Sequence, residues 1–234
     1  MEWLDKVLAE EYQLVGMLKQ SPKGTVLRYR HKTLNQDMIV KRLPFLAEAY
    51  SKLKEIQHPN IPQIFDVIPE QNGCIVLEEF IDGVTVADIL DGNTYHEQGA
   101  KAVISQVCDA LKILHSMHII HRDIKPENIM IRTDGTVLLI DFDAARFYKP
   151  YRSEDTKFVG TVGYAAPEQF GMAQSDPRTD IFALGILLNI MLTGEHPSKV
   201  LYQGRLRKVI EKCIQVNPQK RYQTAMQLKQ SLVK

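Results

Sequence analysis

The sequence has few cysteines: Cys74, Cys108 and Cys213 are the three among 234 residues. They lie far apart, they are odd in number, and none belongs to the paired CxxC spacing of a zinc site. The pattern excludes a small domain held together by disulfides or by structural zinc. It fits a reducing compartment, and we therefore expect the protein to be cytoplasmic.

A long apolar run and an excess of charge are also absent. The longest apolar stretch, residues 181–192, is interrupted by Gly185 and Asn189 and is too short to cross a bilayer. Residues 1–18 carry acids and lack the basic region of a secretory signal. Because the formal net charge is only +1, electrostatics give no reason to expect nucleic acid or a membrane as the principal partner.

The composition that remains, 44% apolar and 24% charged, is that of an ordinary globular protein. No repeat, low-complexity tract or flexible linker divides the chain, so we predict a single domain over residues 1–234. Apolar residues at helical spacing in 3–8 predict a short amphipathic helix that leads into a sheet.

Residues 25–77 contain short β-branched stretches separated by turn signals, with a helical interruption at 47–56 that ends at a proline. Residues 100–117 then carry their apolar side chains on one helical face, and the second half is mostly helical. The pattern predicts an α+β protein with two lobes. The first lobe, 1–78, is a small antiparallel sheet with one short helix; a hinge at 79–83 leads to a mainly α-helical lobe, 84–234.

Two motifs carry the strongest functional information. The run HRDIKPEN occupies residues 121–128, and after a short strand the triplet DFD occupies 141–143. They resemble the catalytic loop HRDxKxxN and the metal motif DFG of the eukaryotic-like, or Hanks-type, protein kinases. The likeness extends along nearly the whole chain, in a style typical of bacterial members. Further matching positions are Lys41, residues 160–168, Asp180, Gly185 and Arg221.

This resemblance implies an enzyme that transfers the γ-phosphoryl group of ATP to protein hydroxyls, with Mg²⁺ or alternatively Mn²⁺. Asp123 would orient the substrate hydroxyl, and Asn128 and Asp141 would hold the metal through hard oxygen ligands. Lys41 would pair with the α- and β-phosphates. Lys125 would lie beside the transferred phosphoryl group, as in the serine/threonine branch, so the expected partners are protein substrates with serine or threonine.

The same resemblance implies a nucleotide pocket. Met130 would form a floor under adenine, opposite Val26 and Ile39, and the main chain of residues 79–81 would hydrogen-bond the base. The residues expected to contact the nucleotide are Gly24, Val26, Ile39, Lys41, Glu48, Glu78, Glu79, Ile81 and Met130. Away from it, Glu168 and Arg221 would form a structural pair, and Asp180 would steady the catalytic loop.

The sequence departs from the family pattern at three places. Of the glycine-rich loop GxGxxGxV only the third glycine, Gly24, is present, and Lys19 or Lys23 would have to supply charge in compensation. Asp143 replaces the glycine of DFG, which restricts the backbone and adds a carboxylate near the metal. The helix that should present a glutamate to Lys41 is short.

Two carboxylates therefore compete for Lys41. Glu48, followed by Glu55, is the candidate on the short helix, whereas counting back from the hinge places Glu78 at the back of the nucleotide pocket. The sequence leaves this choice open.

Residues 144–159 are expected to form an activation loop. Arg122 belongs to the subtype in which a phosphorylated loop residue pairs with this arginine. Autophosphorylation is expected at Thr156 first and Ser153 second, although a polar loop of this kind can also be simply solvated.

Two other functions remain open. The degenerate glycine loop, the short helix and Asp143 also fit a pseudokinase, or a scaffold gated by nucleotide. A small-molecule phosphotransferase of kinase-like fold would share a loop of the form HxDxxxxN, but Lys125 and residues 160–168 argue against it.

Overall fold

A computed structural model of the chain describes residues 2–148, 160–170 and 174–233. The chain divides into two compact units, each with its own contacts. The first unit comprises Met1–His58 and Pro62–Asp82, and the second comprises Pro59–Ile61 and Gly83–Lys234.

The first unit is an antiparallel sheet with two helices. In chain order the elements are α1 Glu2–Glu11, β1 Tyr12–Ser21, β2 Gly24–His31, β3 Asp37–Leu43, α2 Glu48–Leu53, β4 Ile64–Glu70 and β5 Gly73–Glu79. The five strands lie in the order β1-β2-β3-β5-β4 and every neighbouring pair is antiparallel, so the predicted antiparallel sheet is confirmed. The sheet is not a simple meander, because β5 and not β4 pairs with β3.

Helix α1 covers one face of this sheet. Leu4 and Leu8 pack with Met38, Val40 and Ile75 in a buried apolar cluster, which accounts for the helical spacing at the start of the chain. Side chains alternate along a strand, so residue 41 points to the opposite face. The Asp5 carboxylate binds the guanidinium of Arg42 at 2.6 Å, and the helix is thereby fixed to β3.

The second unit is mainly helical. It begins with β6 Gly83–Thr85, which pairs with β8. Its other elements are α3 Val86–Leu90, α4 Glu97–Ser116, β7 Ile119–Ile120, β8 Ile129–Arg132, β9 Val137–Leu139, β10 Arg146–Phe147, α5 Pro177–Thr193, α6 Arg207–Cys213 and α7 Ala225–Ser231. Short 3₁₀ turns occupy Pro126–Asn128, Phe142–Ala144, Pro167–Phe170 and Pro218–Lys220.

Helix α5 has sharply defined ends. Asp176 and Thr179 form a reciprocal capping box at its start, where Pro177 has no amide hydrogen to leave unsatisfied. Gly194 ends it in the left-handed conformation, with φ of +74°. Most of the helix is buried, as its apolar sequence predicts. Among the described helices, none combines the length and the apolar composition needed to span a membrane.

All three cysteines are buried, and none of them forms a disulfide within the described residues. Burial raises the pKa of the Cys108 thiol to about 12, and it also raises the pKa of the Cys213 thiol. Both thiols therefore stay protonated near neutral pH and act as small apolar groups in the core.

Gly185 allows α5 and α6 to pack closely. A Cβ atom at this position would lie 2.4 Å from the Cβ of Cys213 and 2.9 Å from Cγ2 of Ile214. We therefore expect Gly185→Ala to lower the free energy of unfolding by about 1–3 kcal/mol through overpacking. Urea denaturation of the variant and the parent protein measures this difference.

The matched control is Gly99→Ala in α4. The nearest atom to its added Cβ, Cδ1 of Tyr95, lies 3.4 Å away, which is an ordinary contact. Because alanine favours helix more than glycine does, Gly99→Ala should be neutral or stabilising by up to about 1 kcal/mol. Equal destabilisation by both substitutions would contradict the packing argument.

Candidate active site

The catalytic loop is tied to α5 through its backbone. The N–H groups of His121 and Arg122 donate to the Asp180 carboxylate at 3.0 and 2.8 Å, and Nε2 of His115 lies 2.8 Å from Oδ2. Asp180 is fully buried. Burial alone would raise the pKa of this carboxyl, but the hydrogen bond and electrostatic interaction with His115, the electrostatic interaction with His121 and the hydrogen bond from the Arg122 amide together hold its pKa below its usual value. The predicted steadying role of Asp180 is confirmed.

Asp123 accepts hydrogen bonds on both carboxylate oxygens. The Thr161 hydroxyl donates to Oδ1 at 2.6 Å, and Nδ2 of Asn128 donates to Oδ2 at 3.1 Å. Nζ of Lys125 lies 3.4 Å from Oδ2 and also donates to the Thr161 hydroxyl at 3.0 Å. A hydroxyl thus lies between the carboxylate and the ammonium, where it can be polarised.

Sequence reasoning gave Thr161 no role at this site. It belongs to the matched segment 160–168, so the signal was present, but no local rule relates it to a loop about forty residues earlier. The contact with Asp123 is set by the tertiary fold. Gly160, with φ of +142°, allows the segment 160–168 to lie against the catalytic loop. A Cβ at this position would lie 2.8 Å from Nε2 of Gln169 and 3.2 Å from the main-chain oxygen of Arg122.

Asn128 is held at the start of a β-hairpin. Its Nδ2 also donates to the main-chain oxygen of Asp123 at 2.8 Å, and its own main-chain oxygen accepts from Ile140 N at 2.9 Å. Strands β8 and β9 form the hairpin and pair antiparallel, with Ile129 opposite Leu139. The rigid hairpin brings the end of β9, which precedes Asp141, close to Asn128.

Asp141 has a left-handed backbone with φ of +62°. Its Oδ1 accepts from the Asp143 amide at 3.4 Å, a long bond at the edge of the normal range. No cluster of three or more His, Cys, Asp or Glu side chains suited to a metal occurs among the residues that the structure describes. Met130 is half-buried on β8, opposite Leu138 and Thr85.

In the first unit, Lys41 is buried and lies between two partners. Its Nζ lies 3.0 Å from Oε1 of Glu78 and donates to the Tyr50 hydroxyl at 3.0 Å. Glu48, the first residue of α2, is exposed, and in the described part of the chain its carboxylate joins no ion pair. Glu55 pairs with Lys52 at 3.5 Å. Of the competing carboxylates, the structure places Glu78 beside Lys41.

Val26 and Ile39 lie on the same sheet face as Lys41, because Val26 is opposite Lys41 and Ile39 precedes it by two residues on β3. Gly24 is required by packing, since a Cβ at its φ of +132° would lie 2.2 Å from the Arg42 main-chain oxygen. Lys19, on β1, is exposed and opposite Val26.

Main-chain and side-chain contacts hold the end of β5 and the residues that follow it. Glu79 N donates to Gln63 O at 2.9 Å, so this amide already has a main-chain acceptor. Ile81 is buried. The guanidinium of Arg28 stacks over the Phe80 ring at 3.9 Å.

Asp37 fixes the position of Arg28. Its carboxylate hydrogen-bonds Arg30 and Arg28 together, and chiefly the bond to Arg30 lowers the pKa of Asp37 to about 2. The carboxylate is therefore charged at any physiological pH.

Glu168 and Arg221 form the predicted structural pair. Nη1 of Arg221 lies 2.7 Å from Oε1 and Nη2 lies 3.0 Å from Oε2, a bidentate geometry, and both side chains are buried. The Thr179 hydroxyl donates to the same carboxylate at 2.9 Å.

Arg122, expected to pair with a phosphate on the activation loop, donates from Nε to Ala144 O at 2.9 Å. The proposed phosphorylation sites Thr156 and Ser153 lie outside the described residues.

Comparison with known proteins decides the family. The sequence profile of the protein kinase domain matches residues 19–205, which is most of the chain. This chain belongs to the protein kinase domain family. The resemblance to Hanks-type bacterial serine/threonine kinases is thereby confirmed, as is the predicted α+β fold with an antiparallel sheet followed by a helical part.

Three relatives of the chain are bacterial kinases. The chain is 30% identical to serine/threonine-protein kinase PknB of Mycobacterium tuberculosis over an alignment 275 residues long, gaps included. The match covers 97% of this chain and 43% of that protein. PknB of Mycobacterium leprae is 29% identical over 270 residues, with the same coverage of 97% and 43%. A probable PknB of Lactococcus lactis is 34% identical over 165 residues, 70% of this chain and 26% of that protein. The chain thus spans less than half the length of these relatives.

Proposed function

We propose that this protein kinase domain transfers the γ-phosphoryl group of ATP to serine and threonine hydroxyls of proteins. One observation supports the proposal most strongly. The Asp123 carboxylate accepts a hydrogen bond from the Thr161 hydroxyl at 2.6 Å, and the Lys125 ammonium donates to the same hydroxyl at 3.0 Å. A substrate hydroxyl bound in the same way would meet both a base and a cation. Family membership and the named activity of the relatives add to this support.

Asp123 acts on the substrate hydroxyl in this proposal. It accepts the hydrogen bond, directs an oxygen lone pair towards the γ-phosphorus and takes the hydroxyl proton. As the new P–O bond forms, the bond from the γ-phosphorus to the β–γ bridging oxygen breaks and ADP leaves. The amide of Asn128 and the ammonium of Lys125 hold the carboxylate from its other side. Lys125 also offsets negative charge on the transferred phosphoryl group. Because Asp180 anchors the backbone on which Asp123 lies, little reorganisation is needed at the moment of transfer.

The donor set fits a magnesium ion. Both hydrogen bonds of the Asn128 amide use its nitrogen, so the amide oxygen can serve as a ligand, and the Asp141 carboxylate supplies a second hard oxygen. Mg²⁺ commonly binds through one or two protein oxygens, with phosphates and waters as the remaining ligands, and Mn²⁺ accepts the same donors. When bound, the metal would offset the negative charge of the phosphate oxygens. Lys41 would contact the α- and β-phosphates, and Val26, Ile39 and Met130 would contact adenine.

A transfer assay tests the proposed function. We expect purified protein with Mg²⁺ and γ-labelled ATP to label casein or histone, and acid hydrolysis should release phosphoserine and phosphothreonine. The variant Asp123→Asn is the blank. Nucleotide binding without Asp123-dependent labelling would favour a nucleotide-gated scaffold, and label mainly in a sugar, choline or an aminoglycoside would favour a small-molecule phosphotransferase.

Autophosphorylation belongs to the same proposal. Thr156 is the first candidate and Ser153 the second, because a phosphate there could pair with Arg122. Mass spectrometry of the active protein locates the modified residues. A fully active sample with unmodified Thr156 would remove that residue as a required switch.

A further inference from the structure

The carboxylate that holds Lys41 comes from the sheet and not from helix α2. Lys41 on β3 lies opposite Val76 on β5, and Glu78 is two residues farther along the same strand. Lys41 and Glu78 are therefore diagonal neighbours on one face, within reach of long side chains. Their charged atoms meet at 3.0 Å, and the two side chains are only 7% and 8% exposed. Two paired strands thus fix the ion pair.

Helix α2 reaches Lys41 through a neutral group. The Tyr50 side chain is fully buried, its hydroxyl accepts from Lys41 Nζ at 3.0 Å, and Nζ lies 5.3 Å from the ring centroid. The acidic residue of this helix, Glu48, is exposed at its first position. Through Tyr50 the helix therefore contributes a hydrogen bond and an aromatic ring to the surroundings of Lys41.

We propose that Glu78 and Tyr50 together position Lys41 for the nucleotide, and that Glu78 takes the place of the glutamate expected on α2. The inference rests on the proposed function, in which Lys41 contacts the ATP phosphates. In protein kinases the lysine usually pairs with a helix glutamate, so moving the helix breaks the ion pair and controls activity. Here the ion pair lies within the sheet, so a shift of α2 would remove the Tyr50 hydrogen bond and leave the ion pair with Glu78 in place.

The Glu78 and Tyr50 contacts should contribute unequally to MgATP binding. Hydrogen bonds to charged groups contribute about 1.5–3 kcal/mol, equivalent to roughly tenfold to a hundredfold in an equilibrium constant. Glu78→Gln, which keeps the shape and removes the charge, should weaken MgATP binding and lower kcat/KM for ATP by about this factor. Tyr50→Phe keeps the ring and removes one neutral acceptor, so its effect should be smaller, about threefold to tenfold.

The experiment measures MgATP affinity by calorimetry and kcat and KM for ATP in six variants of the full chain: four single substitutions, the conservative Glu78→Asp and the double variant Glu78→Gln/Tyr50→Phe. Glu78→Gln and Tyr50→Phe test the proposal, Glu48→Gln tests its rival, and Glu10→Gln on the exposed face of α1 is the matched neutral control. A positioning role predicts losses concentrated in ATP affinity and KM. It also predicts that Glu78→Asp recovers part of the loss and that the two losses are not additive in the double variant, because both groups share Nζ. Thermal unfolding checks that each variant is folded.

The outcomes separate the two proposals. A parent protein that binds MgATP in a Glu78-dependent way without transferring phosphate would end the proposed function and leave this inference standing. A folded Glu78→Gln with parental affinity and kcat/KM, or a large loss in Glu48→Gln, would overturn the inference. If Glu78→Gln does not fold, the Tyr50→Phe variant provides the test. An ATP affinity of Tyr50→Phe equal to that of the parent protein would then contradict the proposal.

Discussion

Replacing Asp123 by asparagine should lower kcat for protein phosphorylation by about 10²- to 10⁴-fold, the usual contribution of a general base. The substitution keeps the shape of the side chain but exchanges one accepting oxygen for an NH₂ group. Thr161, Asn128 and Lys125 all direct hydrogen atoms or positive charge at this carboxylate. In the variant the new NH₂ group, a hydrogen-bond donor, would face one of these donors. The site could then neither orient nor deprotonate a substrate hydroxyl. Steady-state kinetics with saturating MgATP measure the effect.

Asp134→Asn is the control for Asp123→Asn. Asp134 lies in the exposed turn between β8 and β9, where its carboxylate accepts from the Thr136 amide at 2.8 Å, a contact that asparagine can also make. We expect this variant to keep parental kcat. Since Asp123→Asn disturbs buried hydrogen bonds, both proteins should be compared at a temperature well below their unfolding transitions. Substantial activity in a folded Asp123→Asn would remove Asp123 from the role of base.

Replacing Arg221 by alanine should destabilise the second unit by about 3–5 kcal/mol, because Glu168 would remain buried without its partner. Arg221 also donates to three main-chain oxygens, those of Gln215, Arg178 and Val216, at 2.7, 3.0 and 3.1 Å. The substitution leaves all of these acceptors with one donor fewer. Equilibrium unfolding in urea, followed by circular dichroism, gives the change in free energy of unfolding.

Two further variants are the controls for the destabilisation caused by Arg221→Ala. Arg207→Ala removes an exposed arginine that pairs with Glu211 at 2.9 Å, and it should cost less than about 1 kcal/mol. Arg221→Lys keeps the charge but loses the bidentate geometry, so its cost should lie between the other two. If Arg221→Ala were no worse than Arg207→Ala, the buried pair would not be an important contribution to stability.

The sequence predicted the parts of the site that lie close together in the chain. The spacing of Asp123 and Asn128, and the apolar residues that form the following hairpin, follow local rules. The Glu168–Arg221 pair and the role of Asp180 could also be predicted, because the family resemblance supplied their long-range partners. The fold class rested on the alternation of short strands and turns, followed by one long amphipathic helix.

Contacts that depend on how strands and helices are placed could not be predicted. Glu48 and Glu78 were both plausible partners of Lys41, and only the β3–β5 register places Glu78 beside it. The Thr161 hydroxyl bond to Asp123 joins segments that no local pattern relates. Periodicity likewise grouped Trp3 with the apolar residues of α1, although its side chain is 59% exposed.

Helix α1 has a practical consequence for work with shortened proteins. The ammonium of Lys32 donates to the last carbonyl groups of this helix, those of Ala9 and Glu10, at 2.7 and 2.8 Å. A fragment that starts at Tyr12 would lose these bonds and also leave Met38 and Val40 open to water on a flat β surface. Surfaces of that kind promote aggregation, so a fragment shortened in this way should aggregate more readily than the full chain.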